Sequence, residues 1–297
     1  MTELPWLWVV FTLLAAGGQT VRNAMQRELT TTLGTVGATH VRFLFGFPFA
    51  LLSLLGVALI TGVALPRPNL SYWPWLLVGA LAQIAATALM LAAMGGRSFV
   101  VVVAYIKTEP IQVAIFGLIF LGDAVSLPMM IAIVIATAGV LVMSYKPGMT
   151  GGIKPTLVGL ASGAMFAVSA VGYRGAILNV SAGHFVMAAT FTLACGLVLQ
   201  AALLTAYLAL RDRPVLVAIA AQWRRSLFAG FMGAFASQFW FLAFAIATAA
   251  SVRTLALVEV LFAQAISAFI FKQPTSPREA IGMAMIVVGV VVLLWVH

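Results

Sequence analysis

Glu109 and Glu259 carry the most chemical information in this sequence, because each stands inside a long apolar run. An ionised side chain at the centre of a bilayer costs roughly 2.5–3.5 kcal/mol by insertion scales, so one retained there faces protein or a water-filled cavity. Such a group marks a path for solute, ion or proton. Around Glu109, residues Tyr105, Gln112 and Phe116 fall on the same helix face, giving a polar and aromatic stripe of the kind that lines a solute cavity. Pro110 has no N–H and its ring clashes with the carbonyl of Ile106, so a kink is expected beside Lys107 and Glu109. The carbonyl freed there could contact solute or ion. Around Glu259, Ala263 and Ser267 share a face at steps of four, with Gln264 adjoining. Either glutamate could take up and release protons and so couple solute movement to a proton gradient. The structural alternative is an ion pair: Lys107 could meet Glu109 across the kink, or reach Glu259.

Arg42 lies about 9 Å along its helix at 1.5 Å per residue, near enough to the interface to snorkel, and it could also bind an anionic group. Trp240 and its neighbour Gln238 sit in the middle of an apolar run, where the tryptophan either packs or faces a cavity. His40 and His184 stand near helix starts and read as packed or interfacial groups. No His, Cys or acidic cluster has metal-ligand spacing, and neither metal nor cofactor is expected. Gly159-Leu160-Ala161-Ser162-Gly163 faintly echoes an intramembrane serine protease, but no histidine lies at a matched depth, and close helix packing explains the glycines. Asp123 and Asp212 both fall in gaps, which excludes a facing aspartyl pair inside the membrane. No enzyme is expected.

These residues need elements to hold them, and composition says which. Hydrophobic residues make up 63% of the 297 and charged residues only 8%, too few to cover a water-soluble surface. Apolar runs span about 5–25, 36–61, 72–94, 98–121, 127–145, 157–177, 183–208, 227–249, 251–271 and 280–296, ten in all. Proline and glycine punctuate the gaps, and the short gaps make successive helices antiparallel neighbours. Trp6, Trp8, Trp73, Trp75, Trp223 and Trp295 fall near run ends, as an aromatic belt requires. The net charge of +9 is spread over short gaps, which favours anionic lipid over nucleic acid. The single cysteine, Cys195, excludes an intrachain disulfide. Met1 to Pro5 has Glu3 but no Lys or Arg, so the basic region of a cleavable signal peptide is missing and the first run is expected to stay as a helix.

A shift of 150 residues superposes Gly46 on Gly196, Ala93 on Ala243, Glu109 on Glu259 and Gly139 on Gly289. With only five glutamates in the chain, the coincidence of two inside apolar runs points to duplication. The expected repeats are 1–147 and 157–297, joined by a linker at 148–156. Five helices per repeat is an odd number, so the second repeat enters the membrane inverted. The fold class is therefore all-α, a polytopic membrane protein of about ten transmembrane helices as two five-helix inverted-topology repeats. That arrangement lets two similar halves exchange conformations around a central site.

Several motifs resemble the drug/metabolite transporter superfamily, and within it the ten-helix EamA-type permeases. His40-Val41-Arg42-Phe43 looks like the arginine-bearing start of that family's second helix. Glu109-Pro110, Leu121-Gly122-Asp123 and Ala138-Gly139-Val140 look like its proline-containing fourth helix, its Leu-Gly-acid turn and its glycine-containing fifth helix. The second half departs from the pattern: Val260 replaces the proline and Phe271-Lys272-Gln273 the turn, while Val288-Gly289-Val290 remains. The resemblance implies secondary transport of small organic solutes across the cell membrane, often export of amino acids, metabolites or drugs. Import of a vitamin- or nucleobase-like solute is the alternative within transport. A non-transporting scaffold is the alternative outside it, and would need exposed partner-binding domains that the short gaps do not hold. The odd-numbered gaps carry ten basic residues, Arg27, Arg97, Lys146, Lys154, Arg211, Arg213, Arg224, Arg225, Lys272 and Arg278. The even gaps hold Arg67, with Arg174 and Arg253 at their margins. The positive-inside rule thus puts both termini outside, whereas the resemblance suggests cytoplasmic termini.

Overall fold

The structure is a computed structural model that describes residues 6–94, 104–144, 153–180, 182–269 and 275–296. Twelve helices are described: α1 Leu7–Leu44, α2 Phe47–Thr61, α3 Tyr72–Met94, α4 Glu109–Leu121, α5 Leu127–Ser144, α6 Ile153–Leu178, α7 Phe185–Arg211, α8 Arg213–Ala221, α9 Trp223–Ile246, α10 Ala249–Leu255, α11 Val258–Phe269 and α12 Pro277–Val296. The described residues form no strand. Leu7–Thr61 is 55 residues of nearly continuous helix, roughly 80 Å at 1.5 Å per residue, far more than one crossing of a core of about 30 Å. Gly34 divides it. Its φ of 66° and ψ of 177° are open to glycine and strained for other residues, and the chain folds back there. The Gln26 side chain consequently donates to the carbonyl of Ala38 at 3.0 Å, a contact that a straight helix would stretch to about 18 Å. The first span is therefore 7–33 and the second 35–61.

Among the described residues eight stretches are long and apolar enough to cross a membrane, and the first of these holds two crossings. α10 and α11 together supply the remaining one, the ninth span, in two pieces. The fourth span is also in two pieces, a turn of helix at 104–106 followed by α4. The expected ten crossings are thus present, with three adjustments. The ninth span is broken at Ala256–Leu257 rather than continuous from Ser251, α6 begins at Ile153 ahead of its apolar run, and the gap after α7 contains the short helix α8. Nine residues are too few to cross, and Pro214 at its first turn starts α8 without an N–H to satisfy.

Packing follows the duplication. The strongest helix pairs are α3 with α6, α1 with α9, and α5 with α12. Under the 150-residue shift the third-with-sixth pair becomes the eighth-with-first, and the fifth-with-tenth pair maps onto itself. Glycines set how closely these helices approach. A methyl group on Gly139 would lie 2.7 Å from the Gly282 carbonyl oxygen, and one on Gly289 would lie 2.8 Å from that of Ala132. Residue 282 shifted by 150 is 132, so the two contacts are images of each other. Small residues at a helix crossing let backbones touch in lipid, where no hydrophobic force drives association. The outward faces are apolar, as lipid requires, with Leu52, Leu55, Leu59 and Ile60 exposed on α2. Trp6, Trp73, Trp223 and Trp295 are exposed near helix ends, but Trp8 is buried in the core and does not belong to the belt.

Candidate functional site

The fourth and ninth spans break at nearly the same point of the repeat, at Lys107–Thr108 and at Ala256–Leu257. In the fourth, Pro110 cannot donate to Ile106, and the chain turns through bonds from Lys107 N to Ala104 O and Thr108 N to Tyr105 O. In the ninth, Val260 stands where the proline would be, yet the turn forms by Leu257 N to Thr254 O and Glu259 N to Ala256 O. Thr254 here returns its hydroxyl to the Ala250 carbonyl at 2.7 Å, a back-bond that bends helices. Each break ends in the first turn of a half-helix that carries an acid, Glu109 in α4 and Glu259 in α11. A helix N-terminus favours negative charge, so the acids sit where the backbone stabilises them.

The acids are paired across the two halves. Lys107 forms an ion pair with Glu259, and Arg253 Nε lies 3.0 Å from Glu109 Oε1. Lys107 and Glu109 line the same cavity, but the lysine's partner is Glu259. Arg253, which the sequence places at the margin of a gap, is buried inside the ninth span and stacks its guanidinium over Trp240 at 4.4 Å. Trp240 is held in turn by donating its indole N–H to Gln19 Oε1 at 3.1 Å.

These groups surround a cavity of about 370 Å³. Its polar walls include Gln19, Arg22, Asn23, Lys107, Glu109, Arg253 and Glu259, and its apolar walls Met90, Ile106, Val140, Phe166 and Val260. It reaches the surface beside Ala24 and Arg27, towards the loop side of α1. Toward the side of the termini a separate void of about 10 Å³ lies between Arg42, Gln83, Tyr173, Ser237 and Trp240, sharing Gln19, Phe166 and Arg253 with the cavity's walls. Beyond that, Arg174 clamps the closed end. Its Nε and Nη2 reach the two Asp123 oxygens at 3.2 and 3.3 Å, and its Nη1 donates to the carbonyls of Phe244, at 2.6 Å, and Ala247. One side chain thus ties the sixth span to the turn after the fourth and to the end of the eighth.

The stripe expected on the fourth span does not line the cavity. Of Tyr105, Glu109, Gln112 and Phe116 only Glu109 does: the break at Lys107–Thr108 puts Tyr105 out of phase with the rest, and Gln112 and Phe116, on α4 with Glu109, lie outside the cavity's lining. Gln112 donates back to Thr108 at 3.1 Å, and Phe116 packs on Phe120. The Ile106 carbonyl freed by Pro110 faces Gly163 of α6, 3.2 Å from where a methyl group would stand. On the ninth span Arg253 reaches the cavity from α10, and of the described side chains of α11 Glu259 and Val260 do. Gln264 donates to Thr275 at 3.4 Å, and the side chain of Ser267 lies outside those the structure describes. Gln238 bonds Thr190 at 2.8 Å and lines a groove among Phe49, Phe231 and Phe239, away from Trp240.

Arg42 does not snorkel. It is 2% exposed, donating to Thr87 at 3.2 Å and to Ser237 at 3.5 Å, because the second span carries its stem inward against Gly233 of α9. His40 is packed, with Nε2 3.0 Å from the Thr205 hydroxyl, and His184 caps α7 by accepting from Val186 N. Ser162 donates to the Ala86 carbonyl at 3.0 Å, fastening α6 to α3. Among the described residues no His, Cys, Asp and Glu group could hold a metal. Sequence reasoning passes over Arg22, Gln19, Asn23 and Arg253. The signal available for the first three is their polar clustering within one apolar run, which a real run end would not need to bury.

Residues 6–145 match the EamA-like transporter family. Solved structures share the fold, among them a crystal structure described only as that of a protein, at 16% identity with a TM-score of 0.72, covering 98% of this chain and 95% of that one. No curated protein matches.

Proposed function

From the match of residues 6–145 to the EamA-like transporter family, we infer that this membrane transporter is built of two inverted repeats, that it carries a small organic metabolite by alternating access, and that it is an exporter. The observation that carries this reading is the asymmetry of the central path. A cavity open on the loop side of α1 meets, towards the other face, the clamp of Arg174 on Asp123. A conformation open to one side and sealed to the other is one of the two that a transporter must visit, and the broken fourth and ninth spans lie where such folds bend. Arg174 and Arg253 belong to the spans, which leaves Arg67 alone among the even gaps. Following the charge bias, we take the open mouth as cytoplasmic, the side from which an exporter loads.

The crossed ion pairs are the natural coupling element. They tie the two halves at their breaks, and a proton taken by Glu109 or Glu259 cancels one pair and loosens the join. The experiment is solute-driven pH change in proteoliposomes holding the purified protein, with Glu109→Gln and Glu259→Gln beside it. Proton flux that accompanies one solute and disappears in either variant is the expected result. Solute flux without proton movement, undiminished in both variants, removes the coupling role. Absence of flux with amino acids, organic acids, vitamins and amines removes the transport reading.

A further inference from the structure

The charges of the cavity do not balance. Apart from Arg27 at its mouth, three basic residues line it, Arg22, Lys107 and Arg253, against two acids, Glu109 and Glu259. Both acids are already engaged, by Arg253 and Lys107. Arg22 is the buried group left over: it is 1% exposed, lines the cavity, and makes no ion pair among the described residues. Its Nε and Nη2 both donate to the single oxygen Oδ1 of Asn23, at 3.3 and 2.7 Å, while its Nη1 has no partner. A second guanidinium, that of Arg42, lies behind it with Nε unpartnered, and both stems pack on Gly233. A buried donor without an acceptor costs about 1–3 kcal/mol, and more on a charged group, so two cations side by side in this state call for an anion.

We propose that the transported solute is a small organic acid and that Arg22 receives its carboxylate, an inference that rests on the transport reading only for the steps after binding. The guanidinium fork fits a planar oxyanion. Gln19 and Asn23 place amides beside it on the same face of α1. The body of the solute lies against Met90, Ile106, Val140, Phe166 and Val260, which are apolar, so a charge at one end and hydrocarbon at the other match the walls. A volume of about 370 Å³ lies near the lower end for ligand pockets, which are about 300–1,000 Å³, and favours a molecule of few heavy atoms. An organic cation would enter against the excess positive charge.

The test uses purified protein in detergent and measures binding of phenylacetate and hexanoate by calorimetry, each beside its amide and the amine of the same skeleton, with inorganic phosphate as a further probe. The acids bind saturably, the amides at least tenfold more weakly, and the amines not at all. Asn23→Asp places a carboxylate where the amide oxygen already meets Arg22, so it acts as an internal competitor and weakens acid binding at least tenfold. Being nearly isosteric, it keeps the protein folded, which size-exclusion and thermal unfolding check. Arg22→Gln weakens binding similarly, and Arg22→Lys retains part of it. Amines or amides binding as well as acids, phosphate binding in place of the acids, acid binding undiminished in Asn23→Asp, or no acid binding at all each overturns the assignment. Acid binding without flux in proteoliposomes sinks the transport reading and leaves the site. Flux of amines with no acid binding does the reverse.

Discussion

Replacing Arg253 by Met tests whether the crossed pairs hold the two halves together. The Nε–Oε1 separation is 3.0 Å, and the side chains are only 9% and 13% exposed. At an effective dielectric constant of about 20 that distance gives a gross attraction of about 5 kcal/mol. Removing one partner of a buried pair costs about 3–5 kcal/mol, because the other charge is left without compensation. Glu109 lines the cavity and keeps 13% of its side chain exposed, so a loss of about 3 kcal/mol is expected, near the lower end of that range. Glu109→Gln should cost less, about 1–2 kcal/mol, since Arg253 keeps its place over the Trp240 ring at 4.4 Å, and a desolvated cation–π contact is worth about 2 kcal/mol. The double variant should cost less than the sum of the two by about 1–3 kcal/mol. Reversible unfolding in mixed micelles, measured for all four proteins as a double-mutant cycle, reads each quantity. Additivity within about 0.5 kcal/mol would show that the contact carries no coupling. Glu109→Gln costing more than Arg253→Met would refute the role given to Trp240.

The packing and the clamp lead to two more outcomes. Gly139→Ala puts a methyl group 2.7 Å from the Gly282 carbonyl oxygen and should destabilise by about 1–3 kcal/mol, as overpacking does, whereas Gly56→Ala, with nothing within 4 Å on α2, should stabilise by up to about 1 kcal/mol. Equal thermal shifts for the two would contradict the close approach of α5 and α12. In a Cys195→Ala background, Ala24→Cys at the mouth should react with an impermeant maleimide from the cytoplasmic side, while Ala247→Cys stays unreactive until Asp123→Asn loosens Arg174 and exposes it from outside. Reaction of Ala24→Cys from outside alone would reverse the orientation, and an unreactive Ala247→Cys in the Asp123→Asn protein would remove the clamp.

The architecture is legible in the sequence because its signals are periodic and redundant. Apolar runs of membrane length recur ten times, and the superposition of Glu109 on Glu259 points to a repeat and to two of the spans that meet the cavity. The fine phase is not legible. The stripe assumes an unbroken helix, and one turn of irregular backbone at Lys107–Thr108 is enough to take Tyr105 out of phase with Glu109, while how far along α4 the cavity extends, which decides Gln112 and Phe116, leaves no mark in the sequence. The same fault hides the break in the ninth span, because the sequence rule looks for proline and Val260 is none. Arg42 and Arg253 are misplaced for a second reason. Near the end of an apolar run a basic residue looks like an interfacial anchor, and only the fold-back at Gly34 and the short α10 reveal that both are carried inward. Arg22 escapes notice for the same cause, since nothing in the sequence shows that α1 runs on past it as far as Gly34.

Comparing the halves position by position shows where the duplication has been broken and why that matters. The acids are kept, Glu109 matching Glu259, but the cations are not. Lys107 corresponds to Leu257 and Arg253 to Val103, so each pair is formed by an acid at a repeated place and a base that only one half supplies. Arg22 and Arg42 correspond to Gly172 and Thr192, which puts both uncompensated guanidiniums on the first half. A site built with full two-fold symmetry would hold a solute equally well in two opposed orientations. Here the attraction for negative charge rides on α1 alone, while the second half contributes Glu259, Val260 and the stack of Arg253 on Trp240. A solute with an acid at one end is therefore bound one way round, its charged end fixed to one half and its body free to follow the other as the halves move.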